Sequence, residues 1–404
     1  MHYRIKKVAV LGSGVMGSGI ACQLANVGLE VLMLDILPQK PLKTKTDRNS
    51  VAQNALNKAI KSKPAPLYKK EYASRISVGN LEDDFKKIND VDWIIEVVVE
   101  RLDIKQLIFE KVEKYRKPGS IVSSNTSSIP ISQLSHGRSE DFKKHFCGTH
   151  FFNPPRYLRL LEIIPIAETR AELVDFFMHF GEVNLGKQTV LCKDTPAFIA
   201  NRIGVMSGVK VFDLTQKYDL SIEEVDALTG ALIGRPNTGT FRLQDLVGLD
   251  TGEKVTQFVV NNVKNDSFFE SVGKAPETIF MTFLLENNFL GNKTGKGFYH
   301  KTDQKDQNGK TIINALDLKT LEYKPSHRPT NPILKKAKGI ENMQKRMPFL
   351  IGEEGKESLF LKDYFSAIFA YAAQRVPEIS DQYYPVDDAM RAGYVWDFGP
   401  FEYW

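Results

Sequence analysis

Along the first 190 residues, short apolar runs alternate with longer amphipathic stretches. Residues 7–11 form an apolar strand, 14–27 carry helical spacing, and Gly28 stands where that helix should stop. Residues 30–34 predict a second strand, followed by candidates at 75–79, 93–98, 120–124, 148–152, 160–165 and 189–193. Between them, 103–115 and 170–180 read as helices. Alternation of this kind predicts an α/β fold: a Rossmann-type, doubly wound, mainly parallel sheet.

The pattern changes after Thr195. Pro196 followed by 197–218 reads as a long helix with proline in its first turn, and helical periodicity dominates to about Asn288. Residues 299–332 are polar, which predicts a linker or an exposed hairpin, and helical character returns from about Ile333. A weak internal repeat relates 201–218, Val225-Asp226-Ala227-Leu228 and Phe241 to 368–384, Val386-Asp387-Asp388-Ala389 and Phe401. Two copies of one helical module account for it. The division expected is 1–190 for the sheet domain, 191–300 for a helical domain, and 301–404 for a linker plus a second, incomplete module. The second copy stops at Trp404, where the first continues, so a longer natural polypeptide is expected.

With 404 residues, 42% hydrophobic and 25% charged, disordered, collagen-like and disulfide-stapled classes are excluded. No apolar run approaches the length of a membrane span, and the start has no signal or transit character. Three scattered cysteines with no CxxC spacing fit a reducing, cytoplasmic compartment and no metal site. The net charge of +5 is modest, but its distribution is not. Between Lys40 and Lys70 lie eight lysines and Arg48 against the single acid Asp47, which predicts a polyanionic partner.

Gly12-Ser13-Gly14-Val15-Met16-Gly17 follows a strand and opens a helix. Gly12 permits the tight turn, Gly14 admits a pyrophosphate, Gly17 lets helix and strand pack, and the helix N-terminus around Val15 and Met16 attracts phosphate. Asp35 closes the second strand, where a carboxylate accepts from a ribose hydroxyl and repels a 2′-phosphate. The expected cofactor is NAD. His150 closes a strand beside Phe151 and Phe152 and is the candidate base, with Glu162 in the next strand to orient it. A core histidine is the plainer alternative. Ser124-Asn125-Thr126-Ser127-Ser128 ends another strand; it offers either ligand contacts or a helix cap.

These motifs together resemble L-3-hydroxyacyl-CoA dehydrogenase. So do Lys193-Asp194-Thr195-Pro196-Ala197-Phe198-Ile199-Ala200-Asn201-Arg202, Gly234-Arg235-Pro236 and Gly291-Asn292-Lys293-Thr294-Gly295-Lys296-Gly297-Phe298-Tyr299. The likeness spans the chain and is nearest to the dehydrogenase part of long bacterial multifunctional proteins of fatty-acid β-oxidation. It implies NAD-dependent oxidation of (S)-3-hydroxyacyl-CoA, with His150 as base, Glu162 its partner, and Ser127 and Asn201 on the substrate's 3-oxygen. It further implies that Asn153 lines the site, that Glu100, Lys105 and Asn125 lie toward the cofactor, and that a helical hairpin at about 40–72, with Lys58, meets coenzyme A. Arg101 stands where the family usually has asparagine. An acyl-CoA substrate, a homodimer and an enoyl-CoA hydratase domain or partner follow, with no membrane insertion. Rival readings are a dehydrogenase of non-CoA hydroxyacids or polyols and a non-catalytic NAD-binding relative. Nucleic acid is not expected, since the basic segment holds no aromatics besides Tyr68 and, just beyond it, Tyr72.

Overall fold

Eight short strands form one sheet: β1 (Lys7–Leu11), β2 (Glu30–Asp35), β3 (Ile76–Asn80), β4 (Trp93–Glu96), β5 (Ile121–Ser124), β6 (Phe146–Phe151), β7 (Leu160–Pro165) and β8 (Gln188–Leu191). In this computed structural model, which describes residues 3–39, 48–276 and 278–404, their order is β3-β2-β1-β4-β5-β6-β7-β8. The first six run parallel, and the winding changes direction between β1 and β4. A crevice opens beyond the C-terminal ends at such a switch point. β7 then runs antiparallel to β6, with β8 parallel to β7.

Central strands covered on both faces must be apolar throughout, and Val8 to Leu11, Ile94 and Ile95 are fully buried. The polar exceptions are paired. Trp93 Nε1 donates to Ser123 Oγ at 2.9 Å, and Ser123 shares a 2.8 Å hydrogen bond with Thr149 across β4, β5 and β6. Helix α1 (Val15–Asn26) is buried from Gly17 to Asn26, which is why its apolar pattern is nearly continuous. Helices α2 (Ser50–Lys61) and α3 (Leu102–Tyr115) are amphipathic instead.

Residues group into two units, Met1–Ala200 with Val376–Tyr394, and Asn201–Arg375 with Val395–Trp404. The first unit thus holds a segment expected to belong to the second helical module. Helix Tyr384–Gly393 buries Pro385, Val386, Ala389 and Met390 and packs on β7 and β8. Its approach to β7 is close, since a Cβ on Gly393 would lie 2.6 Å from Leu160 Cδ2. Lys193 fastens the incoming chain, its N–H donating to Ile379 O at 3.0 Å and its ammonium to Pro377 O at 2.9 Å.

Within the second unit, the polar stretch after Phe298 is the exposed hairpin of the two alternatives, Tyr299–Lys305 with Thr311–Leu316, extended by Tyr323–Pro325 into a three-stranded antiparallel sheet. Asp245 anchors it, accepting from Phe298 N and Tyr299 N at 2.8 Å each. Asp226 accepts from Phe241 N at 2.6 Å and from the Tyr299 hydroxyl at 2.8 Å. Burial raises Asp226 to about 7 and Asp245 to about 6, with those hydrogen bonds offsetting only part of the rise. The two repeat copies meet at their turns: Asp397 N donates to Gly234 O at 2.7 Å, and the Arg235 guanidinium lies 3.7 Å from the Trp396 ring centre.

Candidate active site

The turn after β1 is shaped by steric need. Gly12 has φ +107°, and a Cβ there would lie 2.5 Å from Val97 O; a Cβ on Gly17 would lie 2.0 Å from Gly12 O. Above Gly14, by contrast, a Cβ would meet nothing within 4 Å. No side chain caps α1, so the N–H groups near its start at Val15 and Met16 are available to an anion, and Val15 is 71% exposed. Asp35 Oδ2 accepts from Ser13 N at 2.6 Å and from the Ser13 hydroxyl, which places the carboxylate against the glycine turn. Beside it a cavity of about 570 Å³ has a mainly apolar lining of Ile36, Leu37, Leu81, Ile104, Leu107, Ile108 and Tyr115, with Glu82, Glu110, Lys111 and Lys114 at its polar parts. An apolar slot next to a ribose-binding carboxylate suits a flat base, and the open cradle at Gly14 suits a pyrophosphate. These residues fit a dinucleotide. The slot escapes notice in the sequence because its walls come from α3 and the loops after β2 and β3.

At the ends of β4 and β5 lies a closed charge network. Lys105 Nζ contacts Glu96 Oε1 at 2.6 Å and Glu100 Oε2 at 3.2 Å, and both Lys105 and Glu96 are buried. Glu96 also accepts from the Ser124 hydroxyl and from Val98 N. Glu100 Oε1 accepts from Thr126 Oγ1, Ser128 Oγ and, at 3.1 Å, Ser127 N. Lost hydration raises the Glu100 carboxyl, but the Lys105 charge and the hydroxyl donors outweigh it, leaving a net value below the ordinary one. Lys105 is thus enclosed and meets a ligand only through Glu100, which is partly exposed. Asn125 staples this turn to β6, its Oδ1 accepting from Phe151 N at 2.9 Å. Ser127 sits half-buried at the turn's tip. Glu96 was missed from sequence, although an acid ending the apolar run Trp93-Ile94-Ile95 was a signal.

The antiparallel pairing of β6 and β7 sets His150 directly opposite Glu162, so both side chains project from one face. His150 Nδ1 and Glu162 Oε2 are 2.7 Å apart, and the Glu162 side chain has no exposure. Glu162 Oε1 accepts from Ile199 N at 3.2 Å and Ala200 N at 2.9 Å. Those donors are aimed by a strained turn, with Ala197 at φ 66° and Phe198 at φ 50°. The helix expected over 197–218 therefore starts only at Ala200 (Ala200–Lys217). Two left-handed residues cannot join a right-handed helix, and their backbone serves Glu162 instead. Phe152 and Phe198 flank the imidazole, with ring centres 4.6 and 5.6 Å away. Cys192 lies behind the pair. Burial first, then the charge of Glu162, holds its thiol well above the usual value.

Asn153 follows β6 and is exposed. Lys58 is exposed near the end of α2, whose buried face is Ala52, Leu56 and Ala59. Lys40, Lys43, Lys45 and Asp47 of the basic segment lie outside the described residues. Asn201 opens the second unit, following in sequence on Ala200. The structure thus brings together His150 with Glu162, Asn125 with β6, Ser127 with Glu100 and Lys105, and Asp35 with the glycine turn.

Residues 7–195 match the family described as 3-hydroxyacyl-CoA dehydrogenase, NAD binding domain, and 198–301 match its C-terminal domain. The chain belongs to the 3-hydroxyacyl-CoA dehydrogenase family. NAD is accordingly the cofactor of its first domain. A Bacillus subtilis protein named probable 3-hydroxyacyl-CoA dehydrogenase is 46% identical over 100% of this chain and 51% of its own length. A putative fatty acid oxidation complex trifunctional enzyme from Rickettsia felis is 34% identical over 100% of this chain and 53% of its own. The chain spans about half the length of these curated relatives. The crystal structure of 3-hydroxybutyryl-CoA dehydrogenase from Escherichia coli shares the fold, with a TM-score of 0.67 at 21% identity, covering 98% of this chain and 90% of that one. Among the described residues of this family member, no helix is long and apolar enough to cross a membrane.

Proposed function

We propose that this dehydrogenase-family chain oxidises (S)-3-hydroxyacyl-CoA to 3-oxoacyl-CoA with NAD⁺ in fatty-acid β-oxidation. The observation that carries the reading is the 2.7 Å pairing of His150 Nδ1 with the buried Glu162, at strand ends of an NAD-binding domain. With a carboxylate accepting at Nδ1, the ring proton belongs on that nitrogen and Nε2 keeps its lone pair. Nε2 takes the proton of the substrate's 3-hydroxyl while the C3–H bond breaks and the C3=O bond forms. Bound NAD⁺ supplies the acceptor for the C3 hydride. Glu162 offsets the imidazolium charge, and its two backbone donors keep the carboxylate from turning away.

In this reading the Ser127 hydroxyl and the Asn201 amide hold the 3-oxygen, and Asn153 lines the same site. Glu100 orders the Ser127 turn, with Lys105 behind it. Exposed lysines of α2, Lys58 among them, meet the phosphates of coenzyme A. An enoyl-CoA hydratase, as a further domain or a separate partner, supplies the hydroxyacyl-CoA; the trifunctional name of the Rickettsia relative supports this. A homodimer and a cytoplasmic location complete the reading, the latter supported by three free, buried cysteines.

The test is NADH oxidation with acetoacetyl-CoA, run beside NADPH and beside free acetoacetate. Fast turnover that needs both NADH and the thioester is expected. Equal turnover of free acetoacetate would move the chain to the non-CoA dehydrogenases, and NADH binding without turnover would make it a non-catalytic relative.

A further inference from the structure

Residues after the histidine strand close into a tight turn, with Tyr157 N and Leu158 N both donating to Pro154 O, at 2.9 and 3.0 Å. Beneath it the buried Lys187 ammonium donates to the carbonyls of Pro155 and, at 2.8 Å, Leu158. On its flank α1 comes so near that a Cβ on Gly19 would lie 2.9 Å from Pro155 Cδ. A turn held on these sides shifts as one body with its neighbours. Upstream it continues into Asn153 and Phe152, the ring packed on His150.

Its outer side grips the segment that follows α2, within the expected basic hairpin. Arg156 Nη1 donates to Ala65 O at 2.6 Å and to Leu67 O at 2.9 Å, and the Tyr157 hydroxyl donates to Ala65 O at 2.9 Å. The Arg156 guanidinium lies 4.7 Å from the Tyr68 ring centre and 5.1 Å from that of Tyr157. From the other side Asn26 of α1 takes the same segment, donating to Pro66 O at 2.9 Å and accepting from Tyr68 N at 2.8 Å.

We infer that Arg156 and Tyr157 are positioning residues that tie the lysine-bearing hairpin to the Asn153–His150 end of the site. They thereby make turnover selective for thioesters that carry a nucleotide. The inference rests on the acyl-CoA reading above. A hairpin already clamped needs no ordering when the nucleotide arrives, whereas a released one must be ordered at the expense of binding. That cost falls only on substrates long enough to touch the hairpin. A thioester without the nucleotide is indifferent to it.

The test compares acetoacetyl-CoA with acetoacetyl-N-acetylcysteamine in the full chain. Arg156→Met raises KM for acetoacetyl-CoA about tenfold, the loss expected for a charged donor, while kcat stays within about threefold. Tyr157→Phe, which deletes one hydroxyl and keeps the ring, raises it about threefold and serves if the first variant does not fold. KM for the truncated thioester and the Kd of NADH stay unchanged in both. Equal losses on both thioesters, or no change in KM for either, overturn the inference and leave the acyl-CoA reading standing. A wild-type chain that turns over the two thioesters alike overturns both.

Discussion

Glu96 and Glu162 are two carboxylates on one sheet, each without exposure, each at or near a strand end and each accepting backbone N–H bonds. They differ in their ionisable partner. Glu96 faces Lys105, a cation also held by Glu100, so the network is enclosed and immobilises the 124–128 turn. Glu162 faces His150, whose ring has a second nitrogen able to take up and release a proton. The same buried acid is thus a brace in one place and a proton-handling partner in the other. The contrast teaches that the partner's capacity to change charge, more than depth of burial, separates a structural ion pair from a reactive one.

The largest expected effect breaks the reactive side. His150→Ala lowers kcat by about 10²–10⁴-fold, the loss for a missing acid–base group. Next comes the brace. Lys105→Met leaves Glu96 buried without its cation and costs about 3–5 kcal/mol in urea unfolding. The double variant Lys105→Met, Glu96→Leu should recover part of that, because the buried Glu96 charge is gone while Glu100, partly exposed, is left without its cation. Retention of full stability by the single variant would erase the distinction drawn above. Glu162→Gln should also lower kcat, by up to about 10⁴-fold, because the base remains but its tautomer and charge are no longer held. The smallest effect lies in the second unit, where burial raises Asp226 to about 7. An acid raised in the folded state binds its proton more tightly there than when unfolded. Stability is then greatest below the unfolded value and is lost as pH rises toward and through 7. Moving from pH 8 to pH 6 should therefore add about 1 kcal/mol, read as a higher melting temperature.

Much of the site was legible because it sits where local pattern and global fold agree. The glycine turn, Asp35 and the apolar strands announce themselves over short spans, and Leu160–Pro165 is bounded in the structure as its pattern predicts. His150 and Glu162 were each visible as polar residues in apolar strands. Their direct opposition was not, since it depends on one strand running backwards, which no local signal encodes. The left-handed pair Ala197–Phe198 was equally hidden, because neither residue type advertises positive φ and Pro196 mimics a helix start. The return of helix Tyr384–Gly393 to the first unit was read as part of a repeat. Its apolar face is equally suited to a helical neighbour or a sheet edge, and sequence cannot say which.

That return has a consequence in time. A ribosome delivers the chain from its N-terminus, and β8 is complete at Leu191; helix Ala171–Val183 packs on β7 and β8 early, yet the second helix packed on them is the stretch Tyr384–Gly393. The dinucleotide-binding unit therefore waits through the synthesis of nearly the entire second unit before its last wall is available. Contacts so distant in sequence are slow to form and leave apolar strand surface exposed meanwhile. The nascent chain is most vulnerable to aggregation and proteolysis in that interval, when its catalytic strands already exist but part of their cover has yet to emerge.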